Sequence, residues 1–321
     1  MEMPIELKQI IEAEISSIEL RKLREISAGL TGKYRQDNNF IDGFKTREEA
    51  LVYASVRMPA TYGAVSSALY HALECCQANI SSIMDVGAGT GAATFAVSDI
   101  LAPSQITCIE RAGVMRDVGE FLMSKYSLSS KPDWISADVT DYESDLRADL
   151  VLCSYMFNEL KESDIVSVAQ RMYRMADKLL LIVEPGTVKG HKVLQKIRTA
   201  LLENGAAVAA PCVSDGKCPM AEDDWCHFTC RISRSKLHKQ IKNADVPYED
   251  EKFSYMAFVR EKEYNEEKAA RVLRHPDIAK ACITHTLCTG GEICVKDFRK
   301  RDGDLYRRAK KSASGDLLIM K

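Results

Sequence analysis

Apolar residues recur at helical intervals in the first quarter of the chain, then give way to short apolar runs. Leu7, Ile11, Ile15, Ile18 and Ile26 lie near a helical period, which predicts an amphipathic helix over 5–26. Residues 46–76 predict more helix, interrupted near Met58-Pro59, with Thr46 and Glu49 spaced as a capping box. From residue 80 the texture changes. ISSIMDVG, QITCIE, DWISAD, ADLVLCS and KLLLIVEPG predict five strands, with helical patterns between them. That is the βαβ rhythm of a parallel sheet with helices on both faces. A helix over 188–204 ends at Asn204-Gly205. A basic helix is expected over 233–244, and FSYMAFVR (253–260) alternates like a strand. EKEYNEEKAAR reads as a charged, solvated segment. ACITHTLCTGGEICVKDF reads as a hairpin turning at Thr289-Gly290-Gly291, and a basic tail follows. The expected organisation is a helical region at 1–77, a Rossmann-like α/β domain at 78–260 with a cysteine-rich insertion at 206–233, and a hairpin with its tail at 261–321.

Composition narrows the class. The 321 residues are 46% apolar and 28% charged, with a net charge of −2, so no bulk basicity advertises nucleic acid. No apolar run approaches the about 18–20 residues that span a bilayer, so no membrane partner is expected. The N-terminus carries neither a signal-peptide nor a transit-peptide pattern. Together with an odd count of 11 cysteines, this sets the expectation of a cytoplasmic, reducing setting.

MDVGAGTGAAT (84–94) follows a strand and opens a helix. Gly87, Gly89 and Gly91 remove Cβ atoms where the backbone must turn and let a ligand approach. Glu110 ends the second predicted strand, where an acid takes ribose hydroxyls; Asp138 ends the third, where an acid can accept from an adenine amine. The pattern beginning at Asp85 is D-x-G-x-G-x-G, without the Lys-Ser/Thr of a phosphate loop. It resembles motif I of class I S-adenosylmethionine-dependent methyltransferases. The alternative is a plain tight turn with two solvated acids. After the fourth strand, CSYMFNEL (153–160) offers Tyr155 and Asn158 as pocket candidates but no obvious base or nucleophile. Cys153 is expected to pack as a small apolar residue.

Cys212, Cys218, Cys226 and Cys230 crowd a Pro-, Asp- and Gly-rich stretch with spacings x5, x7 and x3, unlike the paired C-x2-C of a zinc ribbon. Such a loop has few apolar partners, so closure on a metal explains the thiols better than packing does. An iron–sulfur cluster, zinc and unligated thiols remain the alternatives. Cys282, Cys288 and Cys294 have equal parity along the hairpin, so one face is expected to be able to carry all three. His227 reads as structural rather than as a ligand.

Several strings point together to one family: YASVRMPATYGAV (53–65), DVGAGTGAAT (85–94), SYMFNEL (154–160), VEPGT (183–187), the cysteine stretch 211–228, RSKLHK (234–239), PYEDEKFSY (247–255) and LCTGG (287–291). The chain resembles the ribosomal small-subunit methyltransferase-like family, which includes mitochondrial ribosome assembly factors and bacterial relatives. The resemblance implies a class I methyltransferase fold, S-adenosylmethionine as cofactor, and association with the small ribosomal subunit or its rRNA. It also implies a four-cysteine cluster of the [4Fe–4S] type on Cys212, Cys218, Cys226 and Cys288. Cys230, Cys282 and Cys294 are then accessory. Mitochondrial members often have an eroded cofactor loop; here the glycines and both acids are intact. RISRSKLHKQIK (231–242) supplies Arg231, Arg234, Lys236, Lys239 and Lys242 with no acid, and 296–311 adds eight basic residues against three acidic ones. Such runs suit phosphate contact. If the basic helix starts early, Arg231, Arg234 and Lys242 share one side of it. Two functions follow: a methyltransferase acting on the subunit, or a non-catalytic assembly factor holding RNA, with the cluster or zinc purely structural.

Overall fold

In a computed structural model of the chain, residues 2–35, 43–76, 78–261 and 269–320 are described. The charged segment expected at 261–271 falls largely outside them. The chain opens with α1 (Ile5–Ile15), α2 (Leu20–Arg35), α3 (Arg47–Val56) and α4 (Met58–Cys75). The single helix expected over 5–26 is thus two, although Leu7, Ile11 and Ile15 do form the buried stripe of the first. The capping box forms as expected: the Thr46 hydroxyl accepts from Glu49 N at 3.2 Å, and the Glu49 carboxylate accepts from Thr46 N at 3.1 Å. Pro59 sits in the first turn of α4, where its missing N–H costs nothing.

The α/β part runs β1 (Ser82–Val86), α5 (Ala92–Leu101), β2 (Gln105–Ile109), α6 (Gly113–Lys125), β3 (Asp133–Ile135), β4 (Ala148–Ser154), α7 (Ile165–Met175), β5 (Ala176–Pro185), α8 (Val188–Glu203), β6 (Ala207–Ala210), β7 (Phe228–Ser233), α9 (Lys236–Lys242) and β8 (Tyr248–Val259). The strand order is β3-β2-β1-β4-β5-β8-β6, with β7 also paired to β8. β1 to β5 pair in parallel, and β8 runs antiparallel to β5, β6 and β7. This doubly wound sheet with a reversed strand near one edge is the class I methyltransferase fold. Because β6 and β7 belong to the sheet, the insertion proper is the loop 211–227.

Parallel strands covered on both faces read as continuous apolar runs. The sheet separates two apolar clusters: α1 to α6 cover one face, α7 and α8 the other. β8 makes the division visible, with Tyr255 and Ala257 in the first cluster, Met256 and Phe258 in the second. Its inner half is therefore buried on both faces rather than alternating with solvent.

A second, wholly antiparallel sheet follows, made of β9 (Ala269–Val272), β10 (Asp277–Ile278), β11 (Cys282–Cys288), β12 (Ile293–Arg299) and, after α10 (Asp304–Lys311), β13 (Leu317–Ile319). The hairpin turns where expected, but it is the centre of a five-stranded sheet, and the tail supplies a helix and a strand.

Arg271 joins this sheet to the rest. Its side chain is 1% exposed. Nε donates to Pro211 O and Nη1 to Gly315 O, each at 2.8 Å, and Nη2 donates to Cys75 Sγ at 3.3 Å. Three segments distant in sequence are thereby held by one guanidinium. Arg271→Leu leaves two buried carbonyls without donors, at about 1–3 kcal/mol each. Urea unfolding followed by circular dichroism is expected to show a loss of roughly 2–6 kcal/mol; a loss below about 1 kcal/mol would mean those carbonyls find other partners.

Candidate functional site

Two sites are built around the sheet. The first lies at the carboxyl ends of β1 and β4, where the strand order reverses and doubly wound folds bind ligands. Gly87 N and Ala88 N both donate to Ile109 O, at 2.8 and 3.0 Å, folding the glycine loop back over β2. Gly87 has a φ of 73°, and a Cβ there would meet Met156 Cγ at 3.0 Å, so the loop needs glycine for both conformation and space. Glu110 accepts from Gly89 N at 2.9 Å through one oxygen and from Ala112 N at 2.7 Å through the other. Asp138 accepts from the Thr140 amide and hydroxyl, at 2.9 and 2.7 Å, and from Arg111 at 2.9 Å. Partial burial pushes the Asp138 carboxyl up, but the Thr140 and Arg111 bonds outweigh it and hold the group below its usual range.

Gly87, Gly89, Glu110, Asp138 and Tyr155 line one open cleft of about 1670 Å³. Asp85, Gly91 and Asn158 do not line it. Asp85 is fully buried beneath the loop, and one oxygen accepts from Thr94 N at 3.0 Å and Thr94 Oγ1 at 2.7 Å. Burial pushes its carboxyl up to about 6, with the Thr94 bonds pulling the other way. It fastens β1 to the first turn of α5. Gly91 caps that helix at a φ of 89°.

The turn after β4 forms the far wall. Tyr155 adopts a φ of 57°, a left-handed conformation that is costly for an aromatic residue. Its hydroxyl donates to Glu251 at 2.8 Å, and Arg57 donates to both oxygens of the same carboxylate at 3.2 and 3.3 Å. Burial, then the Glu251 charge, raises the phenol well above its ordinary value. Glu184, fully buried, accepts from Phe157 N at 2.8 Å and Asn158 N at 3.3 Å; burial pushes it up to about 8. Sequence reasoning singled out none of Arg57, Glu251 and Glu184. For Arg57 and Glu184 the available signal was a charged residue inside an apolar string; Glu251, set among Asp250 and Lys252, carried none.

The second site lies between the loop 211–227 and the hairpin. Cys212, Cys218, Cys226 and Cys288 line one cavity of about 470 Å³ that opens to solvent. The hairpin tip presses on the loop so closely that a Cβ on Gly290, at φ 88°, would stand 2.6 Å from Ser214 Cβ. Ser254 donates to Cys226 O at 2.7 Å, and Trp225 Nε1 donates to Gly186 O at 2.9 Å, which anchor the loop to the sheet. His227 hydrogen-bonds Trp225 O at 3.0 Å and stacks on the Trp225 ring. Burial pushes the Cys212 thiol up to about 11 and Cys226 well above its ordinary value. None of the 11 cysteines forms a disulfide. Among the described residues, no group of three or more Cys, His, Asp or Glu side chains is arranged to hold a single metal ion.

The expectation that Cys282, Cys288 and Cys294 can share a face is corrected by the register. Cys288 pairs with Ile293, and Leu287 pairs with Cys294. Paired residues share a face, so Cys294 lies with Leu287 against the small apolar cluster, on the side away from Cys288. Cys282 shares the Cys288 face but sits at the other end of the strand. Cys230 lies in β7 opposite Glu251.

The shared helix side expected for the basic run is also corrected. α9 begins only at Lys236, so Arg231 lies in β7 and Arg234 just beyond it. Arg231 donates to Asp250 through two nitrogens at 2.7 and 2.9 Å, and Arg234 donates to Glu249 at 2.9 Å. Lys236 and Lys239 are on α9, and Lys242 is half-buried beside Glu249, with burial lowering its pKa. The acid-free run is thus partly neutralised by carboxylates of β8.

The chain is 27% identical over 292 residues to the human protein named ribosome assembly protein METTL17, mitochondrial, covering 84% of this chain and 62% of that one. It is 24% identical over 196 residues to the Schizosaccharomyces pombe Rsm22-cox11 tandem protein 2, mitochondrial, covering 54% of this chain and 26% of that one. The chain therefore spans less than two thirds of the length of either relative. Among solved structures it is similar to the plantazolicin methyltransferase BpumL, at TM-score 0.45 and 12% identity over 78% of this chain and 100% of that one. It is similar too to magnesium protoporphyrin IX methyltransferase from Synechocystis PCC 6803, at TM-score 0.42 and 14% identity over 79% and 100%. Likenesses of this size add nothing to the strand order described above. The expectation of a cytoplasmic protein is overturned, because the matched family and these curated relatives are described as mitochondrial. A missing leader pattern carries no information on compartment in a chain that spans part of its relatives. The family model described as mitochondrial small ribosomal subunit Rsm22 matches residues 47–319, and the chain belongs to that family.

Proposed function

We propose that this chain is an S-adenosylmethionine-binding factor that engages the small ribosomal subunit or its RNA during assembly, and that it carries a four-cysteine [4Fe–4S] centre. The observation that carries the cofactor reading is the meeting of Gly87, Gly89, Glu110 and Asp138 in one cleft. The glycines let the amino-acid end of the cofactor approach the backbone. Glu110 keeps lone pairs for ribose hydroxyls beyond the two amides it already accepts, and Asp138 accepts from the adenine amine. Subunit engagement is supported by the family and by the human relative's name as a ribosome assembly protein.

Methyl transfer is the first reading of what the bound cofactor does. The non-catalytic reading is favoured by a specific observation. Tyr155, which lines the cleft, has its hydroxyl committed to Glu251, and the cleft lining contains no histidine or cysteine among the described residues. The cysteine cavity fits an iron–sulfur group by its donor set: four sulfurs from two separated segments surround a space. A single zinc wants four donors about 2.3 Å from one point, and no such convergence occurs among the described residues. A centre held by Cys212, Cys218, Cys226 and Cys288 would supply cross-linking, pinning 211–227 to the hairpin.

Isothermal calorimetry with S-adenosylmethionine is expected to give saturable binding that Gly89→Arg abolishes. Asp138→Ala is expected to weaken it about tenfold or more, the worth of one charged hydrogen bond; no heat at millimolar cofactor rejects the cofactor reading. Incubation of small subunits with methyl-labelled cofactor separates the two outcomes of binding. Label in RNA or protein establishes transfer, whereas co-sedimentation without label, unchanged in Gly89→Arg, establishes the holding role. Anaerobic purification is expected to yield a brown protein with about four irons, and Cys288→Ser is expected to lose the colour. A colourless wild type with one zinc would replace the cluster by a zinc site.

A further inference from the structure

The cysteine cavity has a charge that its thiols do not explain. Two guanidinium side chains, Arg198 at 5% exposure and Arg271 at 1%, line it together with Lys217. No carboxylate lines it among the described residues. Arg198, on α8, donates through Nη2 to Ser214 O at 3.1 Å and to Gly216 O at 2.7 Å, both in the cysteine loop. Its Nε is buried without a hydrogen-bond partner. Gln195, one turn earlier on the same helix face, also lines the cavity, and its Nε2 is likewise buried and unpartnered. Arg271, on β9, pairs directly across from Cys288 and bonds Pro211 O, next to Cys212.

Buried guanidinium ions without an anionic partner cost several kcal/mol each, and each orphaned donor adds roughly 1–3 kcal/mol. Neutral thiols offset neither, because a thiol is a weak acceptor. A four-thiolate centre on a 2+ metal group carries two negative charges, matching the two buried guanidiniums, and its sulfurs accept hydrogen bonds.

We propose that Gln195, Arg198 and Arg271 form the neutralising and hydrogen-bonding shell of a dianionic thiolate-ligated centre, and that they favour its more negative, one-electron-reduced form. This rests on the four-cysteine centre proposed above. The three are positioning residues: they touch the loop and the space around the sulfurs rather than serve as ligands. Donors and positive charge near a cluster raise its potential, because they stabilise the added electron.

The test uses the full chain, purified anaerobically, with its one-electron midpoint potential measured by dye-mediated titration against dithionite. Arg198→Gln is expected to lower the reduction equilibrium at least tenfold, about 59 mV for a one-electron couple. Arg198→Lys, which keeps the charge, is expected to recover most of that shift. Gln195→Leu removes one donor at a half-buried site and is expected to move the potential about threefold in the same direction. It is also expected to stabilise protein stripped of metal, in which that donor has no acceptor. Should Arg198→Gln fail to fold, Gln195→Leu decides alone. A wild type with iron whose potential is unmoved in every variant that folds overturns this proposal and leaves the cluster standing. Recovery by glutamine but not by lysine does the same, because it reduces Arg198 to a donor for the Ser214 and Gly216 carbonyls. A wild type with neither iron nor zinc removes the centre and this proposal together.

Discussion

A guanidinium bonded to no carboxylate among the described residues holds about the last sixth of the described chain to the rest. Arg271 reaches from the second sheet to the carbonyl of Pro211 at the start of the cysteine loop, to Gly315 before the final strand, and to the sulfur of Cys75 at the end of α4. Each is a neutral acceptor, so the ion is hydrogen-bonded but not neutralised. The close approach of Gly290 to Ser214 works from the other side of the same junction. Together they place Cys288 with the three cysteines of the loop, and the cavity exists because this junction does.

The cleft at the glycine loop depends on carboxylates that do not face it. Asp85 ties the strand before the glycine loop to the helix after it, Glu184 gathers the amides that follow β4, and Glu251 with Arg57 fixes the ring of Tyr155. Each is charged or polar inside the sheet and each is answered by donors, as burial demands. The segment 184–186 touches both sites, because Glu184 holds the wall of the cleft while Gly186 O accepts from Trp225 beside Cys226. The two sites share one piece of backbone.

Basic residues are distributed differently from their sequence density. Arg231 and Arg234 spend their guanidinium groups on Asp250 and Glu249 of the neighbouring strand, and Arg231 also lies 4.0 Å above the Tyr248 ring. Arg301, Lys310 and Lys311, around α10, remain exposed and make no ion pair among the described residues. An unbroken basic run is a poor guide to surface potential when an antiparallel neighbour carries acids in register.

Local chemistry made much of this protein legible from its chain. The alternation of apolar runs with helical patterns, the Thr46–Glu49 box, the glycine loop with Glu110 and Asp138, and the hairpin turn all depend on residues close in sequence or on a recurring spacing. The density of sulfur in 211–230 likewise drew notice to the stretch whose Cys212, Cys218 and Cys226 share a cavity with Cys288. Tertiary structure decided what depends on register and long closure. It separated Cys288 from Cys294, because antiparallel pairing opposes 288 to 293 and so puts equal parities on opposite faces. It brought Arg57 and Tyr155 to Glu251 across 194 and 96 positions. It also set Gln195, Arg198 and Arg271 around the thiols. Spacing along a chain specifies which side of an element a residue occupies, but the partner across the gap is chosen only when sheets and loops close on one another.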